Sequence, residues 1–191
     1  MTGSVLSNRS SADRSKTDFY PTPPDVTRAL VRFLEDRRML VPLDVIWEPA
    51  CGTGEMAEVL LEHGYTVICS DLYPTGYTWN MTPVNFLTES ECCDWIITNP
   101  PFSQAEAFIR HALELGNPCA FLLKSQFWHA KKRLELFRES PPTYVLPLTW
   151  RPDFLQGKKS GSPTMEVLWT VWAGKRAGTM YIPLEKPGGD T

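Results

Sequence analysis

The sequence contains no CxxC pair, and its five cysteines (Cys51, Cys69, Cys92, Cys93 and Cys119) are odd in number. That excludes a zinc ribbon and a closed disulfide framework, and leaves reduced, mostly buried thiols as the expectation. Histidine is scarce, and His63, His111 and His129 keep no ligand spacing with acids, so no metal is expected. No stretch approaches the ~18 consecutive apolar residues of a membrane span. The first 16 residues also lack the apolar core of a signal peptide, so an intracellular protein is expected. Neither sign of charge dominates: 19 Lys and Arg face 22 Asp and Glu, a net charge of −3. This argues against a protein that coats nucleic acid by charge alone, while permitting a local basic patch.

What is present is a chain of 191 residues, 42% of them apolar. That length buries roughly 70% of the unfolded surface in one domain without a disulfide or metal staple. Residues 1–16 are rich in Ser, Arg and Asp with no hydrophobic period, and residues 183–191 are equally patternless. Both read as tails around a single domain of residues 17–182.

Within that domain, Thr22 offers an N-cap and Pro23 suits the first helical position. Val26, Ala29, Leu30, Phe33 and Leu34 then share one face, which predicts a helix docked on a sheet. Residues 44–72 parse as a strand ending near Glu48, a glycine turn, a helix with Met56, Val59 and Leu60 inward and Gly64 as its stop, and a strand ending at Asp71. That is a βαβ unit. Residues 94–102 give a buried strand running into a proline turn. Ser103 and Glu106 predict a capping box on the next helix, whose buried face is Ala105, Phe108, Ile109, Ala112 and Leu113. Residues 119–127 read as a strand, residues 128–138 as a helix with Ala130, Leu134 and Phe137 inward, and residues 143–148 and 165–173 as two late strands. The alternation implies an α/β domain: one doubly wound, Rossmann-like, mostly parallel sheet with a late antiparallel strand and ligands at the carboxyl ends of its strands.

Gly52, Gly54 and Ala57 form a G-x-G-x-x-A turn between strand and helix, and Asp71 closes the next strand where a ribose hydroxyl would be met. A dinucleotide would lay its pyrophosphate on this turn. Glu48, ending the first strand just upstream, repels that group. S-adenosylmethionine carries a sulfonium and an ammonium and no phosphate, so a carboxylate beside the turn suits it. The bland alternative is a tight turn with two surface acids.

Asn99-Pro100-Pro101-Phe102 follows the apolar strand and sets an amide and an aromatic ring on a stiff turn at the same sheet edge. Such an arrangement suits attack by an exocyclic amine whose lone pair is delocalised into an aromatic ring. If the Asn99 side-chain oxygen and the Pro100 carbonyl each accept one N–H, the nitrogen becomes pyramidal and its lone pair is released. Phe102 would stack on the base that carries the amine. The bland alternative is a proline-rich turn with Phe102 in the core.

With these residues in view, the chain resembles the S-adenosylmethionine-dependent DNA N6-adenine methyltransferases, particularly their small phage- and prophage-type members. The resemblance rests on Phe19-Tyr20-Pro21-Thr22-Pro23, Glu48-Pro49-Ala50-Cys51-Gly52-Thr53-Gly54, Ser70-Asp71-Leu72, residues 94–102 and the Trp169–Trp172 strand. It implies a class I methyltransferase fold, S-adenosylmethionine as cofactor, DNA as partner, and the cytoplasm of a bacterium or phage-infected cell. It assigns catalysis to Asn99, Pro100, Pro101 and Phe102. It assigns cofactor binding to Tyr20, Thr22, Glu48, Ala50, Gly52, Gly54, Asp71, Leu72 and Asn99, with Asn85 and Phe86 standing where the family has an acid and an aromatic beside the cofactor adenine.

After Ala173 the resemblance leaves no separate target-recognition domain, so contact with nucleic acid would fall to loops. The candidates are residues 73–83, Lys131, Lys132 and Arg133, and the segment bearing Arg151, Lys158 and Lys159. A relaxed or short target site is expected. Two other readings stay open: methylation of guanine N2 in RNA, because some RNA enzymes share the Asn-Pro-Pro-Phe turn, and a non-catalytic module that keeps the fold as a nucleic-acid platform.

Overall fold

The structure is a computed structural model that describes residues 20–73, 77, 83–154, 165–174 and 178–188. Its elements are α1 (Pro24–Asp36), β1 (Val45–Glu48), α2 (Glu55–Glu62), β2 (Thr66–Cys69), β3 (Trp95–Thr98), α3 (Ala105–Leu115), β4 (Cys119–Lys124), α4 (Leu134–Glu139), β5 (Tyr144–Pro147), β6 (Val167–Trp172) and β7 (Met180–Tyr181). Short 3-10 turns at Phe86–Thr88, Ser125–His129 and Lys131–Arg133 punctuate the loops. The seven strands form one sheet in the order β2-β1-β3-β4-β6-β5-β7. Neighbours β1 and β2, β1 and β3, β3 and β4, and β5 and β7 run parallel; β6 lies antiparallel between β4 and β5. The late antiparallel strand is therefore β6.

Strand side chains alternate between two buried faces, as a pleated sheet covered on both sides requires. Ile46, Ile97, Ala120, Leu122, Trp169 and Val171 pack with Val26, Leu30 and Leu34 of α1 and Met56 and Leu60 of α2. Trp47, Ile96, Phe121 and Leu123 face the other way, onto Phe108, Ile109 and Ala112 of α3. The two large indoles keep their polar atoms satisfied: Trp47 Nε1 donates to Ser70 Oγ at 2.8 Å and Trp169 Nε1 to the Val26 carbonyl at 3.0 Å. No helix among the described residues is long and apolar enough to cross a membrane.

Several local expectations are corrected by tertiary contacts. Thr22 does not cap α1, whose N-cap is Pro23 without a side-chain bond; the Thr22 hydroxyl receives Asn99 instead. The Ser103–Glu106 capping box is absent, with Gln104 at the cap, because Glu106 pairs with Arg110 and Arg133. Residues 128–138 are not one helix. Two 3-10 turns precede the six-residue α4, so that Leu136 is buried while Leu134 is exposed. Strand β2 ends at Cys69, two residues short of Asp71. The segment read as a C-terminal tail is anchored at Leu184, which is buried, bridges to Leu148 and donates its N–H to the Pro147 carbonyl at 2.8 Å. Residues 1–16 lie outside the described residues.

Candidate active site

Strands β2 and β3 leave β1 on opposite sides, so a crevice opens where the strand order reverses, at the carboxyl ends. A cavity of about 670 Å³ occupies this edge. Three strand ends deliver its polar groups: Glu48 closes β1, Asp71 follows β2 and Asn99 follows β3.

The glycine turn holds its shape through left-handed backbone at Gly52 (φ 55°) and Gly54 (φ 89°) and through pairing that outruns the strands. Ser70 N–H donates to the Glu48 carbonyl at 3.1 Å, and Cys51 N–H donates to the Ser70 carbonyl at 3.0 Å. Asp71 ties turn and loop together, accepting from Gly52 N–H at 3.0 Å and from Tyr73 N–H at 2.9 Å. Each of its oxygens keeps a lone pair for a further donor. Any side chain at Gly54 would overlap the Tyr77 ring.

Glu48 is only 2% exposed, and its Oε2 has no hydrogen-bond partner. Burial raises its carboxyl well above the ordinary 4.5, with Cys51, Glu55 and Asp71 pushing the same way and the Ala57 backbone N–H opposing them. A buried carboxyl with a vacant oxygen favours a ligand that brings hydrogen-bond donors or positive charge.

Asn99 is fixed from the opposite side. Its Nδ2 donates to the Tyr20 carbonyl and to Thr22 Oγ1, both at 3.1 Å. Since a carbonyl can only accept, this anchor dictates which end of the amide faces away. The remaining atom, Oδ1, is buried and has no partner. The segment before α1 and the turn after β3 thus hold each other, and what they leave over is one unpaired acceptor.

Beside it, Phe102 is half-buried, with the Tyr20 ring 5.6 Å away centre to centre and tilted by 36°. Lys124, at the end of β4, places Nζ 3.9 Å from the Phe102 centroid and 5.4 Å from that of Tyr20. Phe86 is buried against Trp47 and Phe108, with centroids at 4.9 and 4.7 Å. Asn85 accepts from Leu87 N–H at 3.2 Å, and Leu72 stands exposed at the rim.

The structure brings Tyr20, Thr22, Glu48, Ala50, Gly52, Asp71, Leu72, Asn85, Phe86, Asn99, Pro101 and Phe102 onto one cavity wall. Gly54 and Pro100 are buried and do not line it. Cys51, Glu55, Met56 and Phe108 line it without having been singled out as binding residues; Lys124 ends a strand at the same edge as Glu48 and Asn99 but does not line the cavity. Of the basic candidates, Arg133 is spent on the fold: it lies over Phe127 at 3.9 Å, donates to the Phe127 carbonyl at 2.8 Å and faces Glu106 at 3.7 Å. Lys131 and Lys132 are exposed, Arg151 pairs with Glu166 at 3.4 Å, and Lys158 and Lys159 lie outside the described residues. Among the described residues, no group of three or more His, Cys, Asp and Glu could hold a metal ion.

No protein-family model matches the chain, and no curated protein sequence does. Among solved structures, the chain superposes on a protein assigned as a class I S-adenosylmethionine-dependent methyltransferase from Listeria monocytogenes, with a TM-score of 0.58, 15% identity and coverage of 87% of this chain and 67% of that one. The fold is that of the class I methyltransferases. The methyltransferase subunit of a type I restriction-modification system from Streptococcus thermophilus superposes with a TM-score of 0.63 and 13% identity, over 86% of this chain and 47% of that one. The present chain thus spans about half the length of that subunit. A protein assigned as an RNA methyltransferase from Pyrococcus horikoshii gives a TM-score of 0.59 and 16% identity, over 80% of this chain and 84% of that one.

Proposed function

We propose that the protein transfers a methyl group from S-adenosylmethionine to the N6 amine of adenine in DNA. The observation that carries this reading is Asn99, whose amide nitrogen is anchored to Tyr20 and Thr22 while its oxygen is buried and unpaired at the cavity wall. A vacant buried acceptor is costly unless a donor arrives, and an exocyclic amine brings two. The cofactor half of the cavity supports the reading from the other side. Glu48 offers a vacant oxygen to a cationic ligand, Asp71 keeps lone pairs for ribose hydroxyls, and the exposed Leu72 and the Phe86 wall offer apolar contact to a purine.

When bound there, S-adenosylmethionine supplies an electrophilic methyl group on a sulfonium. Asn99 Oδ1 would accept one amine N–H; the resemblance assigns the other to the carbonyl of Pro100, a residue buried behind the cavity wall. Held in this way, the nitrogen would direct its lone pair out of the ring plane, toward the methyl group that the bound cofactor would supply. The proton left on nitrogen departs to water, so no general base is required. Phe102 stacks on the base, a contact of roughly 1–3 kcal/mol in single-strand binders, and this helps offset the removal of the base from its stack.

The test is transfer of a labelled methyl group to unmethylated DNA and, in parallel, to total RNA, followed by digestion and identification of the nucleoside. N6-methyladenine from DNA is the expected product. One observation favours a second reading: the protein assigned as an RNA methyltransferase is covered over 84% of its length, against 47% for the restriction-modification subunit. Label confined to guanine in RNA would establish that reading instead.

A further inference from the structure

Counting protons around the Asn99 anchor leaves one over. Asn99 Nδ2 donates to the Tyr20 carbonyl and to Thr22 Oγ1, both at 3.1 Å. A carbonyl holds no proton, so the amide end that meets Tyr20 is the nitrogen, and the Thr22 hydroxyl is therefore an acceptor. That spends one of its lone pairs and leaves its own proton. Among the described residues, no group is hydrogen-bonded to that proton. Thr22 is 5% exposed and lines the cavity, so the proton is short of water as well as of a protein partner. The cavity is the side from which an acceptor can reach it.

We propose that Thr22 is a positioning residue that couples occupancy of the cofactor cavity to the orientation of Asn99. This inference rests on the reading of Asn99 Oδ1 as the acceptor of the target amine. Hydrogen bonds in a chain polarise one another, so a hydroxyl that donates becomes a better acceptor. A cofactor atom that accepts the Thr22 proton therefore strengthens the bond from Asn99 Nδ2, and with it the amide orientation that leaves Oδ1 for the amine. The effect runs equally in the other direction. An amine N–H on Oδ1 makes Nδ2 a stronger donor to Thr22, and Thr22 in turn a stronger donor to the cofactor. No proton changes owner along this chain. The Tyr20 carbonyl holds the same amide but cannot relay, because it has no proton to pass on. Methyl donor and methyl acceptor thus favour each other's presence through one buried hydroxyl.

The experiment measures affinity for an unmethylated oligonucleotide by fluorescence anisotropy, alone and with saturating S-adenosylhomocysteine, the cofactor without its methyl group, which cannot react. In the wild type the added S-adenosylhomocysteine should tighten binding by at least about fivefold, the lower end of coupling between sites. The same oligonucleotide with purine in place of adenine lacks only the amine, and most of that gain should vanish with it. Thr22→Val, which keeps the shape without the hydroxyl, should bring the gain close to one and lower kcat on the order of tenfold, with affinity for the oligonucleotide alone unchanged. Thr22→Ser should restore both. A T22V protein that keeps the wild-type gain overturns the inference, as does a wild-type gain that survives in the purine oligonucleotide. Asn99→Ala, run alongside, separates the two claims. If it still turns over, the reading of Asn99 fails and the coupling with it; if it is inactive while T22V keeps the gain and kcat of the wild type, only the role of Thr22 falls.

Discussion

Replacing Glu48 by Gln separates what burial does to the empty fold from what the carboxylate does for a ligand. Glu48 is 2% exposed with one oxygen unpaired, and burial, reinforced by Cys51, Glu55 and Asp71, lifts its carboxyl well above 4.5. A carboxyl raised in the folded state keeps its proton where the unfolded chain has lost it. Folding stability therefore declines as pH rises from about 4.5 through the raised value, and the loss is complete above it. Gln cannot ionise, so E48Q is expected to equal the wild type at acid pH and to exceed it at alkaline pH. Affinity for S-adenosylmethionine should move the opposite way. A hydrogen bond to a charged group contributes about 1.5–3 kcal/mol, so E48Q should bind roughly 10- to 150-fold more weakly. In the wild type, binding a cation should expel the Glu48 proton, which calorimetry in two buffers of different ionisation enthalpy detects and which E48Q should lose. Thermal unfolding across pH supplies the other half. Wild-type affinity in E48Q, or a variant less stable than the wild type at alkaline pH, would refute the reasoning.

Three further outcomes are expected. Gly54→Ala forces a methyl group into the Tyr77 ring at a left-handed position; the backbone alone costs about 1–2 kcal/mol, and Tm should fall by at least roughly 2–4 °C per kcal/mol, whereas an unchanged Tm would contradict the geometry. Arg133→Ala should destabilise the fold by about 1–2 kcal/mol through loss of the Phe127 contacts, while Lys132→Ala should leave Tm unchanged and only flatten the salt dependence of nucleic-acid binding; equal Tm values for the two variants would return Arg133 to the surface. Under native alkylation read by mass spectrometry, exposed Cys92 should react first. Cys119, pushed up to about 12 by burial, and Cys51, raised by its hydrogen bond to Cys69 and by burial, should stay unmodified.

The residues that place the site were legible because local and global demands agree there. A buried strand leading into Gly52 and Gly54, and another leading into a double proline, have few other uses, and the strand ends carry Glu48 and Asn99 to one edge. What stayed hidden depends on partners distant in sequence. Thr22 is a good cap by local rules, yet its hydroxyl takes up Asn99 from 77 positions away. Glu106 suits a capping box, yet two arginines compete for it. Lys124 reads as the polar end of an apolar strand, and its approach to the Phe102 ring at 3.9 Å is set by tertiary packing that no local pattern shows. The two-residue β7 has too short a pattern to register, and it exists because β5 offers it an open edge.

The central claim is that Asn99 turns a cofactor cavity into a site for methylating an amine. Its most direct test is to measure, on one preparation of Asn99→Ala, affinity for S-adenosylmethionine by calorimetry and methyl transfer to unmethylated DNA. The account predicts affinity within a few-fold of the wild type and turnover lower by about 10²–10³, the scale on which a positioned hydrogen-bonding group supports a transition state. Turnover near the wild-type rate, with the cofactor bound, would contradict it.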